Sequence, residues 1–531
     1  MKRKAGLWIV GYLLLVLALL IPFAVLTVRV DPFFHYHKPD TGTYSYQLDN
    51  QRSQNDGIMR HFDYTGLIIG TSLSENFRTS EAEALWGGQF VKLPFSGATF
   101  KEISENTETA LRRNPEIRIV IRGMESWRLL RDKDVMRDDM GTYPSYLYDE
   151  DPLNDVEYLF NRDVMFDRIY PMLLETKEPG FSGGITSFDR YSFWSGKYPY
   201  GKNALFPDGV YPVEKPEWNY PLTEKYRQMT LDNVTQNLTA VADAHPDVTF
   251  YYFFAPYSAK FFMDKLAEGT LERMVASERV AIEELLRHPN IRLYSFNDQF
   301  DITTDLNNYK DYIHYGAWVN SMILRYMQEG KCLLTPDNYE DYLDRELSFY
   351  TEFDYSRLAG QEDYAVDAYA GLLLAARTGG PSERPLDVQS GELRSAVIVP
   401  DQYEGSDGIV CKGTLPIDFR DQQTVLSRYL YETDYIGAKF TFDNIDPCSL
   451  ITFYGRKLAG HGQPTVFVYD ADGNAVTACR ESYRDIGGEW REYMIDVSML
   501  DGPATVIFHG GYIDNSGDPE SEYVFSHIRL F

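Results

Sequence analysis

The chain has 531 residues and a formal net charge of −28, a balance that argues against binding nucleic acid or any polyanion through bulk charge. Hydrophobic residues make up 44% and aromatic residues 15%, enough for large cores and several domains' worth of folded material. Only four cysteines occur, Cys332, Cys411, Cys448 and Cys479, with no CxxC spacing; this speaks against a zinc ribbon and reads as scattered buried thiols, with a Cys411–Cys448 or Cys448–Cys479 bridge left open.

Met1–Lys4 is a basic cluster, and Ala5–Val28 carries no charge. A helix needs about 20 apolar residues to cross a bilayer, and Lys and Arg favour the cytoplasmic side. Residues 1–30 are therefore expected to form an uncleaved transmembrane signal anchor, with the N-terminus cytoplasmic and the main domains extracellular. A cleaved leader would have a shorter apolar core and a small-residue cleavage site, and Leu26-Thr27-Val28-Arg29 makes a poor one. Residues 31–60, polar and turn-rich, read as a stalk. His35 and His37 within it are two candidate ligands, too few to make a metal site.

From residue 61 short apolar strands alternate with helical patterns. Strands are expected at Tyr64–Gly70, Phe90–Leu93, Ile117–Ile121, Val248–Phe254 and Ile291–Tyr294. Helices are expected at Lys101–Asn114, Leu231–Ala244, Ala259–Arg287 and Ala317–Gln328. Such alternation predicts a parallel sheet covered by helices on both faces, an α/β domain over about 61–332. Residues 125–225, rich in Asp, Tyr, Pro and Gly, break the rhythm and read as an insertion that covers or shapes a site. The sequons at Asn233 and Asn237 fall in an expected helix. Residues 333–384 read as a helical connector ending in the linker signal Arg377-Thr378-Gly379-Gly380-Pro381. Beyond it the period changes to short alternating stretches, with Asp472-Gly473 as a hairpin turn. This predicts an all-β sandwich over 385–531. Asp470-Ala471-Asp472-Gly473-Asn474 imitates the start of a calcium loop but lacks the closing Glu.

Open α/β sheets carry their sites beyond the carboxyl ends of the strands. Gly70-Thr71-Ser72 follows the first strand, where a serine can expose its hydroxyl and aim its own N–H at an oxyanion; the same residues would also serve as a plain helix cap. Gly97 follows the second strand and can bring a backbone N–H close to a ligand. After the fifth strand come Asp311 and His314, three apart, a spacing that one helical turn would place on one face. The carboxylate can hold one imidazole nitrogen and leave the other as a base. Of the histidines in the α/β segment, His61, His245 and His288 lie on the strand-entry side, and His314 alone lies beyond a strand's carboxyl end.

Gly70-Thr71-Ser72, Gly97 and Asp311-x-x-His314 together resemble the SGNH (GDSL-type) hydrolase family, over roughly residues 61–330. The resemblance implies a flavodoxin-type parallel sheet, with Ser72 as nucleophile, His314 as base, Asp311 as its orienter, and the N–H groups of Ser72 and Gly97 as the oxyanion hole. It implies no cofactor and no metal. Thr71 stands where the family has Asp, and Arg122-Gly123-Met124-Glu125-Ser126 stands where it has its G-x-N-D block. Asn76, Arg122 and Glu125 are expected to border the pocket. An anchored, exported domain of this kind is similar to proteins that decorate envelope polymers beside a membrane-bound O-acyltransferase, which implies a polysaccharide substrate and such a partner. The C-terminal segment resembles galactose-binding-like carbohydrate-binding modules, a jelly-roll-like fold. The expected activity is serine O-acyl transfer or acyl-ester hydrolysis; the alternative is a catalytically inactive glycan-binding or assembly protein.

Overall fold

The structure, a computed structural model, describes residues 2–530 apart from 138–142, 178–180, 182, 196–197, 362, 364–383, 404–405, 416–429, 432–433, 446–449, 461–464, 474, 480–482, 498–499, 501 and 514–520. Helix α1 spans Lys2–Val30 and α2 spans Gln51–His61. Then come β1 (Gly66–Gly70), α3 (Thr79–Trp86), β2 (Phe90–Pro94), α4 (Phe100–Arg113) and β3 (Ile119–Met124). A helical run, α5, follows from Glu224 to Ala244, with a π-turn at Thr235–Thr239. After it come β4 (Thr249–Phe254), α6 (Ala259–Ala267), α7 (Leu271–Leu285), β5 (Ile291–Ser295), α8 (Ala317–Glu329) and α9 (Tyr339–Glu352). The single helical stretch expected over 259–287 is two helices, broken where Gly269 adopts a positive φ of 67°.

The five strands form one sheet in the order β2-β1-β3-β4-β5, all neighbours parallel. This is the 2-1-3-4-5 order of flavodoxin-type sheets, whose switch point lies between β1 and β3. The strands are apolar throughout because helices cover both faces: Leu67, Ile68 and Ile69 of β1 are all buried.

Two regions depart from the expected division. Residues 31–60 are no stalk. Phe33, Phe34, Ile58 and Met59 belong to the same core as the sheet, and Asn55 Nδ2 donates to the carbonyl of Pro94 at the end of β2 (2.8 Å). The segment looks polar because its buried polar groups are paired rather than absent. Asp31 is one of them: its carboxylate accepts the N–H groups of His35, Tyr36 and His37 and the hydroxyl of Tyr158. His35 pairs with Asp155, and His37 bonds the carbonyls of Val28 and Lys38. At the other end, α9 packs into the same core through Tyr342, Leu343 and Tyr350, so the first part of the expected connector belongs to the α/β unit. The linker signal at 377–381 lies outside the described residues.

A second core runs from Val388 to Leu530. Two antiparallel sheets build it, one around Leu450–Ala459 and Glu522–Leu530, the other around Gly437–Phe442, Thr465–Tyr469 and Ala504–His509. Thr465–Tyr469 and Ala475–Cys479 form the hairpin expected around Asp472-Gly473. Cys332 and Cys411 are free thiols; Cys448 and the Cys479 side chain lie outside the described set. Among the described residues no helix is long and apolar enough to cross a membrane. Within α1, the side chains of 1–7, 9, 10, 13, 17 and 19 are outside that set.

Candidate active site

β1 delivers its chain to a tight turn, Ser72–Ser74, at the carboxyl edge of the sheet. Thr71 caps it, accepting the N–H of Leu73, so Ser72 stands at the mouth of the turn and its side chain is only partly buried. Two distant groups pin the turn from behind. Lys92 of β2 donates to the carbonyls of Glu75 (2.5 Å) and Phe77 (2.9 Å). Asn320 of α8 donates to the carbonyl of Leu73 (3.0 Å). Burial pushes the Lys92 ammonium down to about 7, against the opposing pull of Asp189 and Glu75.

The loop between β5 and α8 brings Asp311 and His314. Asp311 and His314 do not sit on a helical turn as expected. The Asp311 carboxylate instead accepts the N–H groups of Ile313 (3.0 Å) and His314 (2.9 Å), folding the loop on its own side chain. The same carboxylate reaches the ring: His314 Nδ1 lies 2.7 Å from Oδ2 and 2.9 Å from Oδ1. Burial raises the Asp311 pKa, but the His314 hydrogen bond and charge and the two backbone N–H groups outweigh it, leaving the carboxyl below its usual range. An ionised carboxylate only accepts, so Nδ1 carries the hydrogen and Nε2 is left as the acceptor. Ser72 Oγ lies 2.7 Å from that Nε2. Residues 242 positions apart thus close a Ser–His–Asp relay.

Gly97 follows β2 with a positive φ of 67°. Among the described residues, neither the N–H of Ser72 nor that of Gly97 donates to another group. Arg137 lies against Gly97: a Cβ added there would sit 1.6 Å from Nη1. The same Nη1 donates to the Ser96 carbonyl (2.7 Å). A cavity of about 330 Å³ opens at this point, among Gly97, Phe100, Arg128, Arg131 and Arg137.

Three residues expected at the pocket have other work. Arg122 is in the core, its guanidinium donating to the carbonyls of Asn237 (2.9 Å) and Phe100 (3.2 Å). Burial lowers its pKa to about 10. Glu125 is buried between the Thr71 hydroxyl (2.6 Å) and Arg128, so it braces the Ser72 turn from the end of β3. Asn76 accepts the N–H groups of Trp194 (3.1 Å) and Ser195 (3.0 Å) and stitches the insertion to the Ser72 loop. The sequons are spent in the same way: the buried Asn233 amide donates to the carbonyls of Arg128 and Arg131, and the buried Asn237 amide to that of Lys133.

The insertion supplies what sequence reading missed. The Trp194 ring meets His314 edge-on, with centroids 5.6 Å apart, and its Nε1–H points at the Ser72 carbonyl (3.4 Å). Lys310, next to Asp311, is held over the faces of Trp194 (4.2 Å) and Tyr198 (4.1 Å). Ser195 Oγ accepts the first N–H of α8, Ala317 (3.1 Å). No local motif marks Trp194 or Arg137, since each lies in irregular chain and meets the site only through the fold.

Neither a family model nor a curated protein matches the chain. Among solved structures it is similar to a two-domain esterase (CEX) active on acetylated mannans, at 11% identity over 87% of this chain and 89% of that one, with a TM-score of 0.20. It is similar to a putative platelet activating factor from Streptococcus pneumonia, at 10% identity over 55% of this chain and 90% of that one, with a TM-score of 0.26. Part of the chain is similar to the xylan binding module CBM86 from Roseburia intestinalis, at 13% identity over 28% of this chain and 96% of that one, with a TM-score of 0.17.

Proposed function

We propose that this chain is a serine acyl-transfer enzyme of the SGNH-like type, an acylesterase or O-acyltransferase acting on cell-envelope or exported polysaccharide. The observation that carries the reading is the relay itself: Ser72 Oγ at 2.7 Å from His314 Nε2, and Asp311 at 2.7 Å from Nδ1. Ser72 Oγ attacks the acyl carbonyl carbon while its proton passes to Nε2, and Asp311 steadies the imidazolium that forms. The carbonyl oxygen gains charge opposite the N–H groups of Ser72 and Gly97, with the Arg137 guanidinium beside them. The carbon–oxygen bond to the first alcohol breaks, and that oxygen takes the proton back from His314. Water or a sugar hydroxyl then repeats the sequence on the acyl-enzyme, giving hydrolysis or transfer.

The half-exposed rings of Tyr198 and Tyr312 support a sugar substrate. One is held by Lys310, the other lies between Asp311 and His314, and flat aromatic faces suit stacking against pyranose rings. The uncharged run Ala5–Val28 supports a membrane anchor that leaves the domains outside the cytoplasm, where a membrane-bound O-acyltransferase would supply acyl groups. Glu125 favours a second reading. It stands where the resemblance puts an oxyanion asparagine and is spent on Thr71 and Arg128, which fits a catalytically inactive glycan-binding or assembly partner. The test is acetate release from O-acetylated polysaccharides by the full chain. Release that disappears in Ser72→Ala supports the enzyme; glycan binding without release or transfer, equal in wild type and Ser72→Ala, supports the inactive partner.

A further inference from the structure

The last two turns of α1 lie along the α/β unit. Leu26, Thr27 and Val30 face it, while Ile21, Phe23, Val25 and Val28 point away and are exposed. The elements they pack against are Val156–Leu159 and Val164–Ile169 of the insertion. Thr27 Oγ1 donates to the Leu159 carbonyl (3.1 Å), and Tyr158 donates to Asp31 (2.8 Å) just past the helix. The end of α1 is thus built into the domain rather than joined through a free linker.

This part of the insertion is apolar on two sides. Val164, Met165, Ile169 and Met172 are buried. Phe166, Tyr170 and Leu174, four residues apart along the same helical run, face outward at 56%, 54% and 42% exposure. Val156 and Phe160, next to the Thr27 contact, are exposed as well. A contiguous exposed apolar surface marks a place where something binds.

We propose that this stripe is a membrane seat, which dips into the interfacial layer of the bilayer around the foot of α1. The inference rests on the anchor reading given above. From Ala5 to Val28 the chain offers 24 uncharged residues, about 36 Å of helix at 1.5 Å per residue, against a hydrocarbon core of about 30 Å. The last turns of α1 therefore reach the far boundary of the core, and whatever packs beside them shares that depth. Aromatic and aliphatic side chains are at home there, about 5–10 Å into the headgroup and acyl boundary. The basic residues Arg162, Arg168 and Lys177 are offset by Glu157, Asp163, Asp167 and Glu175, so apolar burial drives the seating, and it is insensitive to salt. The seat fixes the tilt of the domain, and with it the direction in which the Ser72 edge faces.

The test is photocrosslinking of the full chain, reconstituted in phosphatidylcholine nanodiscs that carry a phospholipid with a photoactivatable acyl chain, followed by peptide mapping. Lipid adducts are expected on α1 and on peptides covering 153–177, unchanged between low and high salt. Adducts on α1 alone overturn the seat and leave the anchor standing. Adducts on neither remove the anchor and the seat together. Protection of 153–177 by protein cross-links to a second copy overturns the seat in favour of a dimer face.

Discussion

Asp311 does two jobs with one carboxylate: it folds the loop through the N–H groups of Ile313 and His314, and it holds the ring of His314. Asp311→Asn removes the fixed acceptor for Nδ1–H, and by analogy with other triads turnover falls about 10⁴-fold, which acetate-release kinetics checks. Trp194 acts through another residue. Trp194→Ala takes away the edge contact to His314 and the contact to the Ser72 carbonyl, so kcat is expected to fall while KM for small esters holds. A second buried cluster reports on stability instead. Glu278 and Glu346 are both fully buried. Burial raises the Glu346 carboxyl to about 7 and the Glu278 carboxyl well above its usual range; Glu346 adds to the rise of Glu278, while Tyr342 and Glu278 pull Glu346 back. Raised folded-state values mean that the folded chain holds these protons more tightly than the unfolded chain. Their stabilising share is full below the unfolded carboxylate value, near pH 4, and is lost as pH rises through the folded values. Glu278→Gln removes that loss and should stabilise the fold at pH 8, with little change at pH 4.5. Denaturant melts at both pH values check it, and equal differences at the two would count against the raised carboxyl of Glu278.

Two glycines show how elements are brought together. Gly57, in the middle of α2, faces the chain that leaves α1: a Cβ there would lie 2.3 Å from the Phe33 carbonyl oxygen. Because that contact is backbone, Gly57→Ala cannot be relieved by a side-chain shift, and it should lower stability by roughly 2 kcal/mol or more in a thermal melt. Gly97→Ala meets a positive φ and the Arg137 guanidinium at once. It should cost about 1–2 kcal/mol of stability and reduce turnover more than it reduces stability, because Arg137 must leave its place. At this scale the sequence was readable where one element carried its own signal. The apolar runs of β1 to β5, the small-residue turn at Ser72 and the Asp311–His314 spacing each showed in a few residues. The polar segment 31–60 misled, because its buried carboxylate and amides are satisfied by partners far along the chain, such as Tyr158 and Pro94. Arg122 misled in the opposite way: a charged residue at a strand's carboxyl end reads as a site residue, yet it is bonded to carbonyls inside the core.

On the scale of the molecule, one α/β core takes in residues up to Leu358 and one β core takes in residues from Val388 onward. The hydrophobic period could not show that the insertion after β3 is stitched to both halves of the site, through Asn76 and Ala317, because that fit exists only in three dimensions. The central claim is that the insertion, β1 and the β5–α8 loop together make Ser72 a nucleophile. Labelling of the full chain with a fluorophosphonate serine probe tests it most directly, with Ser72→Ala, His314→Ala and Asp311→Asn run alongside. Wild type should label at Ser72, the first two variants should not, and Asp311→Asn should label far more slowly. Labelling that survives in Ser72→Ala, or a folded wild type that does not label at all, would contradict the account.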